Sequence, residues 1–335
     1  MRVIVASGEV SRKGDISELT NNTLFFFTSI SFGCVPKRTV YKINEKNPTF
    51  QNNSFGSSLI CSAFGPMKLF YTRDKWAAFR SDTPGSWGFV PTMGALHQGH
   101  LDLVAQARLE NTYVAVSIYV NPKQFNQTAD LLAYPKTIES DLILLQASGV
   151  DAVFIPVTGE VYPENDTFAP ASPGHAAIGL EGVYRPGHFQ GVVDVVDRLF
   201  DLIKPSTAYF GQKDLQQCLV VQEFASLKYP SLNLVTVTTR REASGLAMSS
   251  RNVRLSDKGR EDAAEIFKVL DHLKEFPTET ESMRLRLLEY GIETEYLEPI
   301  EVRLNTQSGL MNRAWVFAGY IEGVRLIDSL LYQVI

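Results

Sequence analysis

Between Trp87 and Thr239 the chain alternates short runs of β-branched and aromatic residues with segments whose apolar positions recur every three to four residues. The runs are SWGFVP (86–91), TYVAVSIYV (112–120), DAVFIP (151–156), STAYFG (206–211) and LNLVTVTT (232–239). They are nearly continuous in apolar character, which predicts strands buried on both faces, as in a parallel sheet covered by helices. Helices are expected over 101–110, 138–148, 192–203 and 214–228. Strand and helix in strict alternation, joined by right-handed crossovers, give an α/β fold with a doubly wound parallel sheet that takes ligands at the carboxyl ends of its strands.

The texture changes after Arg254. Two helices are expected, 256–276 and 279–290, followed by short strands near 294–297, 314–318 and 324–327, the pattern of a smaller C-terminal α+β domain. Ahead of the sheet, KLFYTRDKWAAFR (68–80) reads as a short apolar run and an amphipathic helix burying Trp76 and Phe79. Residues 1–66 sustain neither a period of 2 nor one of 3.6, and are read as a poorly ordered extension. They are equally consistent with a targeting segment, or with untranslated sequence ahead of a second start at Met67. The expected division is therefore 1–66, an extension; 67–240, the nucleotide-binding sheet; and 241–335, a small domain closing over the site. A cleft between the last two is the expected binding site.

Charge sharpens this division. The 335 residues carry a net charge of −5, but residues 1–66 hold seven Lys/Arg against four Asp/Glu, leaving 25 against 33 for the remainder. An acidic body argues against a nucleic-acid partner, so an anionic ligand must be met by a local cluster of donors. The longest early apolar stretch, TLFFFTSISFGCV (23–35), has 13 residues, short of the roughly 20 that a spanning helix needs. Glu9, Asp15 and Glu18 occupy the flank that a signal peptide would keep positive. Three cysteines are too few for a disulfide framework and suit a reducing compartment.

Five stretches carry candidate chemistry. PTMGALHQGH (91–100) takes a strand end through two glycines into a helix, where backbone N–H groups and the positive helix end suit phosphate. His97 and His100, three apart on the first turn, can face the same spot; a zinc site would need further ligands that do not accompany them. NPKQF (121–125) places Asn121 and Gln124 at a second strand end, able to bond a hydroxyl or carboxylate. LEGVYRPGHF (180–189) is expected as a loop serving as a lid or substrate wall, or simply as a surface connection. FGQKDLQQ (210–217) offers Lys213 to phosphate without being a Walker A loop, with Asp214 as a helix cap and Gln217 facing the same cleft. GLAMSSRN (245–252) sets Ser249, Ser250 and Arg251 in a loop as a second phosphate clamp.

In this order, GALHQGH, YVNPKQF, AYPK, LEGVYRPGHFQGV, AYFGQKDLQQ and LAMSSRN, with a final RLID at 325–328, resemble the pantoate-beta-alanine ligase family over about four fifths of the chain. The resemblance implies a Rossmann-like sheet of the nucleotidylyl transferase type. It also implies an enzyme that uses ATP to condense (R)-pantoate with beta-alanine, giving pantothenate, AMP and pyrophosphate through a pantoyl adenylate. It assigns ATP to Met93, Gly94, Ala95, Leu96, His97, Gln98, Gly99 and His100, with His100 as proton donor and His97 on phosphate. Gly211, Gln212, Lys213 and Asp214 then hold the nucleotide, Lys213 on its phosphates and Asp214 on ribose. Arg240 lies by the adenine, and Met248, Ser249, Ser250 and Arg251 close over the triphosphate. His100, His97 and Lys213 form the catalytic set, and Gln124 and Gln217 hold pantoate. Magnesium accompanies the phosphates, with Asp141 as a candidate ligand, and a cytoplasmic homodimer without membrane or nucleic-acid partners is implied. Gln212, Leu215, Lys136, Arg240 and Ser244 depart from the family's usual residues. Two other readings compete: a different nucleotidylyl transferase, against which the amides Gln124 and Gln217 speak, and a silent nucleotide binder, against which the retained His97, His100, Lys213 and 249–251 set speaks.

Overall fold

The protein is described from a computed structural model, which covers residues 24–26, 41–43, 66–302 and 312–333. The expectation for residues 1–66 therefore falls almost wholly outside the described residues. Within residues 1–60, strands β1 (Leu24–Phe26) and β2 (Tyr41–Ile43) pair antiparallel. Residues 61–335 form a second compact unit.

That unit is built on six parallel strands: β3 (Lys68–Phe70), β4 (Trp87–Thr92), β5 (Tyr113–Ile118), β6 (Ala152–Phe154), β7 (Thr207–Gly211) and β8 (Asn233–Val237), in the order β3-β6-β5-β4-β7-β8. The apolar runs have a direct cause. Phe89, Ala115, Ala152, Phe154, Ala208 and Phe210 enter a core on one face with α1 (Arg73–Ser81), while Val90, Val114, Val116, Val153 and Tyr209 enter a core on the other with α2 (Gln98–Glu110). Strand alternation thus delivers apolar residues to two buried faces.

Between these strands lie α3 (Thr128–Leu132), α4 (Ile138–Ala147), α5 (Thr158–Val161), α6 (Glu181–Tyr184), α7 (His188–Ile203) and α8 (Leu215–Lys228). Helix α7 begins at His188, earlier than the expected 192. Two strand expectations need correction. The run at 68–70 is itself a strand, at one edge of the sheet, and β8 at the other edge is only half-buried, with Leu234 against one core and Val235 and Val237 against the other.

The C-terminal part combines α9 (Asp257–Ala263), α10 (Glu265–Glu275) and α11 (Thr280–Glu289) with three antiparallel strands, β9 (Glu293–Val302), β10 (Asn312–Ile321) and β11 (Val324–Gln333), ordered β11-β10-β9. The single helix expected over 256–276 is interrupted at Ala264, and Ser256 caps its start by accepting from the Gly259 N–H. The strands are ten residues long each, longer than expected, because β9 continues through Pro299. Being an edge strand, β9 tolerates that proline. One face of this sheet packs on α10 and α11. The other, through Tyr296, Val302, Ala314, Val316 and Ala318, packs on Leu215 at the start of α8.

Candidate active site

From β4 the chain moves outward through β5 and β6, then returns to β7 and β8 on the opposite side. The crevice beyond the carboxyl ends of β4 and β7 is therefore the topological switch point, where open α/β sheets hold ligands. The segments following β4, β5, β7 and β8 all line one cleft there, of about 1230 Å³ counting its open mouth.

The wall after β4 is strained and anchored. Gly94 (φ 80°) and Ala95 (φ 51°) are both left-handed, which for alanine costs on the order of 1 kcal/mol. The Asp141 carboxylate, 1% exposed, holds this turn. It accepts the Ala95 N–H at 2.9 Å and the Leu96 N–H at 2.8 Å, while the Thr137 hydroxyl donates to it at 3.1 Å. Glycine at position 94 permits the approach, since a Cβ would stand 3.0 Å from Asp141 Oδ2 and 3.1 Å from Ile118. Asp141, the magnesium candidate of the sequence, is thus committed to backbone and hydroxyl donors.

The two histidines follow at the start of α2. The His97 N–H donates to His100 Nδ1 at 3.3 Å, and the rings lie 4.1 Å apart at 39°. Gly99 leaves room for this, because a Cβ there would meet the His97 ring at 3.1 Å. Burial, with the nearby His97 ring and the Lys213 charge, pushes His100 down to about 3. Burial and Lys213 bring His97 to about 4 against the opposing pull of Asp214 and Asp102. Both rings are neutral at pH 7, and His100, whose Nδ1 accepts, carries its proton on Nε2.

Opposite stand Gly211, Lys213, Asp214 and Gln217, from the end of β7 and the first turn of α8. Lys213 Nζ lies 3.7 Å from Asp214 Oδ2. The third wall is a hairpin: Arg241 bridges Ala247 across a turn containing Gly245 (φ 99°), which folds Met248, Ser249, Ser250 and Arg251 back onto the cleft. Two residues that the sequence reading missed secure this wall. Ser250 Oγ is 3.2 Å from the Tyr134 hydroxyl, and Asp130 accepts from Arg251 at 2.7 Å and from Arg254 at 3.0 Å. Tyr134 lay within the AYPK motif, but nothing local marks its contact 116 residues away.

On the acceptor side, Gln124 Oε1 receives Asn121 Nδ2 at 3.2 Å, and Gln124 Nε2 lies 3.1 Å from the Met93 sulfur. Val192, Val195, Val196 and Leu199 of α7 add an apolar wall.

Five residues expected on ATP, Gly94, Ala95, Leu96, Gln98 and Gln212, do not line the cleft; the other twelve do. Gln98 donates to Asp102, and the Gln212 carbonyl accepts from Ser329 at 2.8 Å. Arg240 lines the cleft, but its guanidinium is turned to α2, donating to both Asp102 oxygens at 2.6 and 2.9 Å.

Within the 180–189 stretch, expected as a lid, substrate wall or surface connection, Val183, Tyr184, Pro186 and Gly187 are exposed, while Glu181 and His188 are buried and with Arg185 form a brace. Glu181 at 5% exposure accepts from Arg325, Arg185 and the Tyr296 hydroxyl. Burial alone would raise its carboxyl, but Arg325 and then Arg185 hold it down to about 2. His188 Nδ1–H donates to the Gln124 carbonyl at 2.8 Å while Nε2 accepts from Arg185 at 3.1 Å. Burial and the Arg185 charge depress His188 to about 4, so folding favours its neutral form. Between the ordinary 6.5 and about 4 the unfolded chain binds the proton and the folded one does not. Stability is therefore lost as pH falls through that window, by up to about 1.4 kcal/mol per pH unit for one such group. His188→Asn is expected to flatten the decline in melting temperature between pH 7 and 5; an unchanged decline would remove His188 as a contributor.

The sequence pattern of the pantoate-beta-alanine ligase family matches residues 68–331, from the start of β3 through all but the last two residues of β11. The chain belongs to the pantoate-beta-alanine ligase family. It is 42% identical over 260 residues to the pantothenate synthetase of Cytophaga hutchinsonii, covering 73% of this chain and 91% of that protein. It is 40% identical over 255 residues to that of Bdellovibrio bacteriovorus, covering 76% and 95%. Among solved structures, pantothenate synthetase from Thermus thermophilus superposes with a TM-score of 0.68 at 39% identity, covering 79% of this chain and 99% of that one. The Francisella tularensis pantoate-beta-alanine ligase, complexed with beta-gamma ATP and beta-alanine, gives 0.70 at 33%, covering 79% and 98%.

Two of the departures from the ligase pattern, Leu215 and Ser244, do not line the cleft. Leu215 is buried against the C-terminal sheet, and the Ser244 hydroxyl accepts the Leu246 N–H within the turn.

Proposed function

We propose that this chain joins pantoate to beta-alanine at the expense of ATP, through a pantoyl adenylate formed in the switch-point cleft. The observation that carries the reading is the convergence of His97, His100, Lys213, Ser249, Ser250 and Arg251 on one cleft whose remaining wall holds Gln124, Gln217 and apolar α7 side chains. In the first step a pantoate carboxylate oxygen attacks the α-phosphorus, and the bond to pyrophosphate breaks. Two anions must approach, and charge then moves onto the leaving group. Fixed donors aimed at that charge are what such a displacement needs from a protein.

In this reading Lys213 and Arg251 supply full charges, and the histidines supply neutral N–H donors. A triphosphate settling beside them raises their proton affinity, so His100 can also deliver a proton as charge develops. Gln124 and Gln217 bond the hydroxy acid, and the valines of α7 take its apolar body. The cleft-lining residues of the 121–125 turn and of α7 include no Lys or Arg, which favours a carboxylic acid over a mononucleotide as acceptor. In the second step the beta-alanine amine attacks the acyl carbon, the acyl–phosphate bond breaks, and AMP leaves.

Magnesium fits as a companion of the triphosphate. Asp214 is the only carboxylate among the lining residues, so phosphate oxygens and water would complete the coordination of a cation that keeps most of its water; once bound it neutralises phosphate charge. We extend the reading to a cytoplasmic homodimer, with 67–240 and 241–335 as its two domains. Among the described residues no helix is long and apolar enough to cross a membrane.

The test is pyrophosphate release from purified protein given ATP, magnesium and pantoate, with and without beta-alanine, alongside mass spectrometry of products. Pantothenate and AMP appearing only with all substrates present is the expected result. ATP binding without turnover would move the reading to another acceptor or to a silent binder. A chain starting at Met67 is expected to keep full activity, because the family match begins at residue 68; a folded but inactive truncation would refute this.

A further inference from the structure

The last strand of the chain reaches the acceptor side of the cleft through a continuous buried path. Arg325 of β11 donates from Nη1 and Nη2 to the two Glu181 oxygens at 2.9 and 2.6 Å, and its Nε donates to Glu295 at 2.7 Å. Glu181 in turn accepts Arg185 Nη1 at 3.1 Å. Arg185 Nη2 then donates to the main-chain carbonyl of Gln124 at 3.2 Å, and His188, itself bonded to Arg185, donates to the same oxygen at 2.8 Å. Each member is mostly removed from water, so loss of one leaves the next with an unpaired charge or donor.

The Gln124 turn is also tied to α7 by side chains: Lys123 Nζ donates to Asp194 at 2.8 Å and Asn121 Nδ2 to the Gly191 carbonyl at 2.9 Å, so the Arg185–His188 pair is what holds the Gln124 carbonyl itself. The segment is a single 3-10 turn, Pro122–Gln124, resting on the first turns of α7. The backbones also meet directly there: a Cβ on Gly191 would fall inside the Lys123 carbonyl and 2.8 Å from the Gln124 nitrogen. The Gln124 amide side chain is held by Asn121 and Met93. A small shift of the Gln124 carbonyl therefore carries the amide with it, and positional errors near 1 Å suffice to lose large factors in a bound substrate's alignment.

We propose that Arg325 is a positioning residue for the Gln124 segment, acting from the C-terminal sheet through Glu181 and Arg185. The kinetic form of this inference rests on the proposed function, in which Gln124 holds pantoate; its structural form does not.

The experiment compares the full-length protein with Arg325→Lys, Arg185→Lys, the double variant, and Trp315→Phe. The last removes a buried hydrogen bond, Trp315 Nε1 to the Leu273 carbonyl at 2.9 Å, within the same C-terminal part but off this path. Hydrogen exchange of a peptide covering 121–127, read without substrates, is expected to quicken at least about 10-fold in Arg325→Lys and Arg185→Lys and to stay at the wild-type rate in Trp315→Phe. In steady state, the KM for pantoate is expected to rise about 10-fold in each Lys variant, with the KM for ATP within about 2-fold. The double variant is expected to be little worse than either single one, as for residues in one network. Unchanged exchange in folded Arg325→Lys, or an equal change in Trp315→Phe, would overturn the proposal. Additive effects of the two Lys variants would overturn the path through Arg185. A wild-type protein without turnover would sink the functional reading, and the exchange data would still decide the positioning role.

Discussion

His100→Ala is expected to slow pyrophosphate release at least about 10²-fold, with Lys213→Ala reaching the same order, as loss of a preorganised donor to a developing charge does. The case for His100 is geometric before it is electrostatic. Its Nδ1 is taken by the His97 N–H at 3.3 Å, so the ring is fixed with Nε2–H as its donor. Burial first, and then His97 and Lys213, keep it uncharged down to about pH 3 when the cleft is empty. The ring therefore faces the cleft as a neutral N–H donor. Alanine removes the donor and also strips the His97 N–H of its acceptor at the helix start, where backbone donors have no partner inside the helix. His100→Gln, which can present an N–H at a similar reach, should recover part of the rate. Single-turnover pyrophosphate release, with melting temperature as a check on folding, tests this. A rate for His100→Ala within a few-fold of wild type would remove the histidine from the charge-stabilising set.

The sequence exposed those parts of the fold whose cause is local. Strands β4 to β7 were legible because burial on two faces leaves continuous apolar runs, and the strand ends that follow them carry the glycines and polar residues of the cleft. At the sheet margins that signal weakens. Lys68–Phe70 has three residues and one buried side chain, and β8, though legible as a strand, is only partly buried at its edge. Pro299 hid the second half of β9, since a proline reads as a strand end unless the strand is known to lie at an edge.

Long-range polar contacts were illegible for a different reason. LEGVYRPGHF has the glycines and proline of a loop, and the brace formed within it depends on Arg325, 144 residues away from Glu181. A lone glutamate in such a stretch gives no sign that a distant guanidinium will neutralise it. Likewise Asp130 and Tyr134 secure the 249–251 clamp across separations of 121 and 116 residues, beyond any spacing rule. The residues that line the cleft with donors could be picked out; the residues that hold them in place could not.

Asp141 shows how the distinction can be tested, because the resemblance offers it only as a candidate magnesium ligand and the structure sets its carboxylate on backbone donors. Its two oxygens accept the Ala95 and Leu96 N–H groups at 2.9 and 2.8 Å. They hold a turn in which Ala95 stands at φ 51°, so the carboxylate stabilises a backbone conformation that alanine resists. Asp141→Ala leaves two donors without partners at about 1–3 kcal/mol each and lets the turn relax. The histidines begin immediately after it, so the expected result is a fall in kcat/KM for ATP of at least about 10²-fold together with a lowered melting temperature. Asp141→Asn keeps one acceptor and turns an amide N–H toward the second backbone donor, so it should fall between wild type and alanine. A magnesium ligand would behave differently. Its replacement would move the magnesium concentration for half-maximal rate and leave the melting temperature of the metal-free, ATP-free protein unchanged or higher. The anchor role requires the reverse: a loss of melting temperature without metal or nucleotide, and a magnesium midpoint within about 2-fold of wild type in Asp141→Asn. A displaced midpoint with undiminished stability would return Asp141 to the metal.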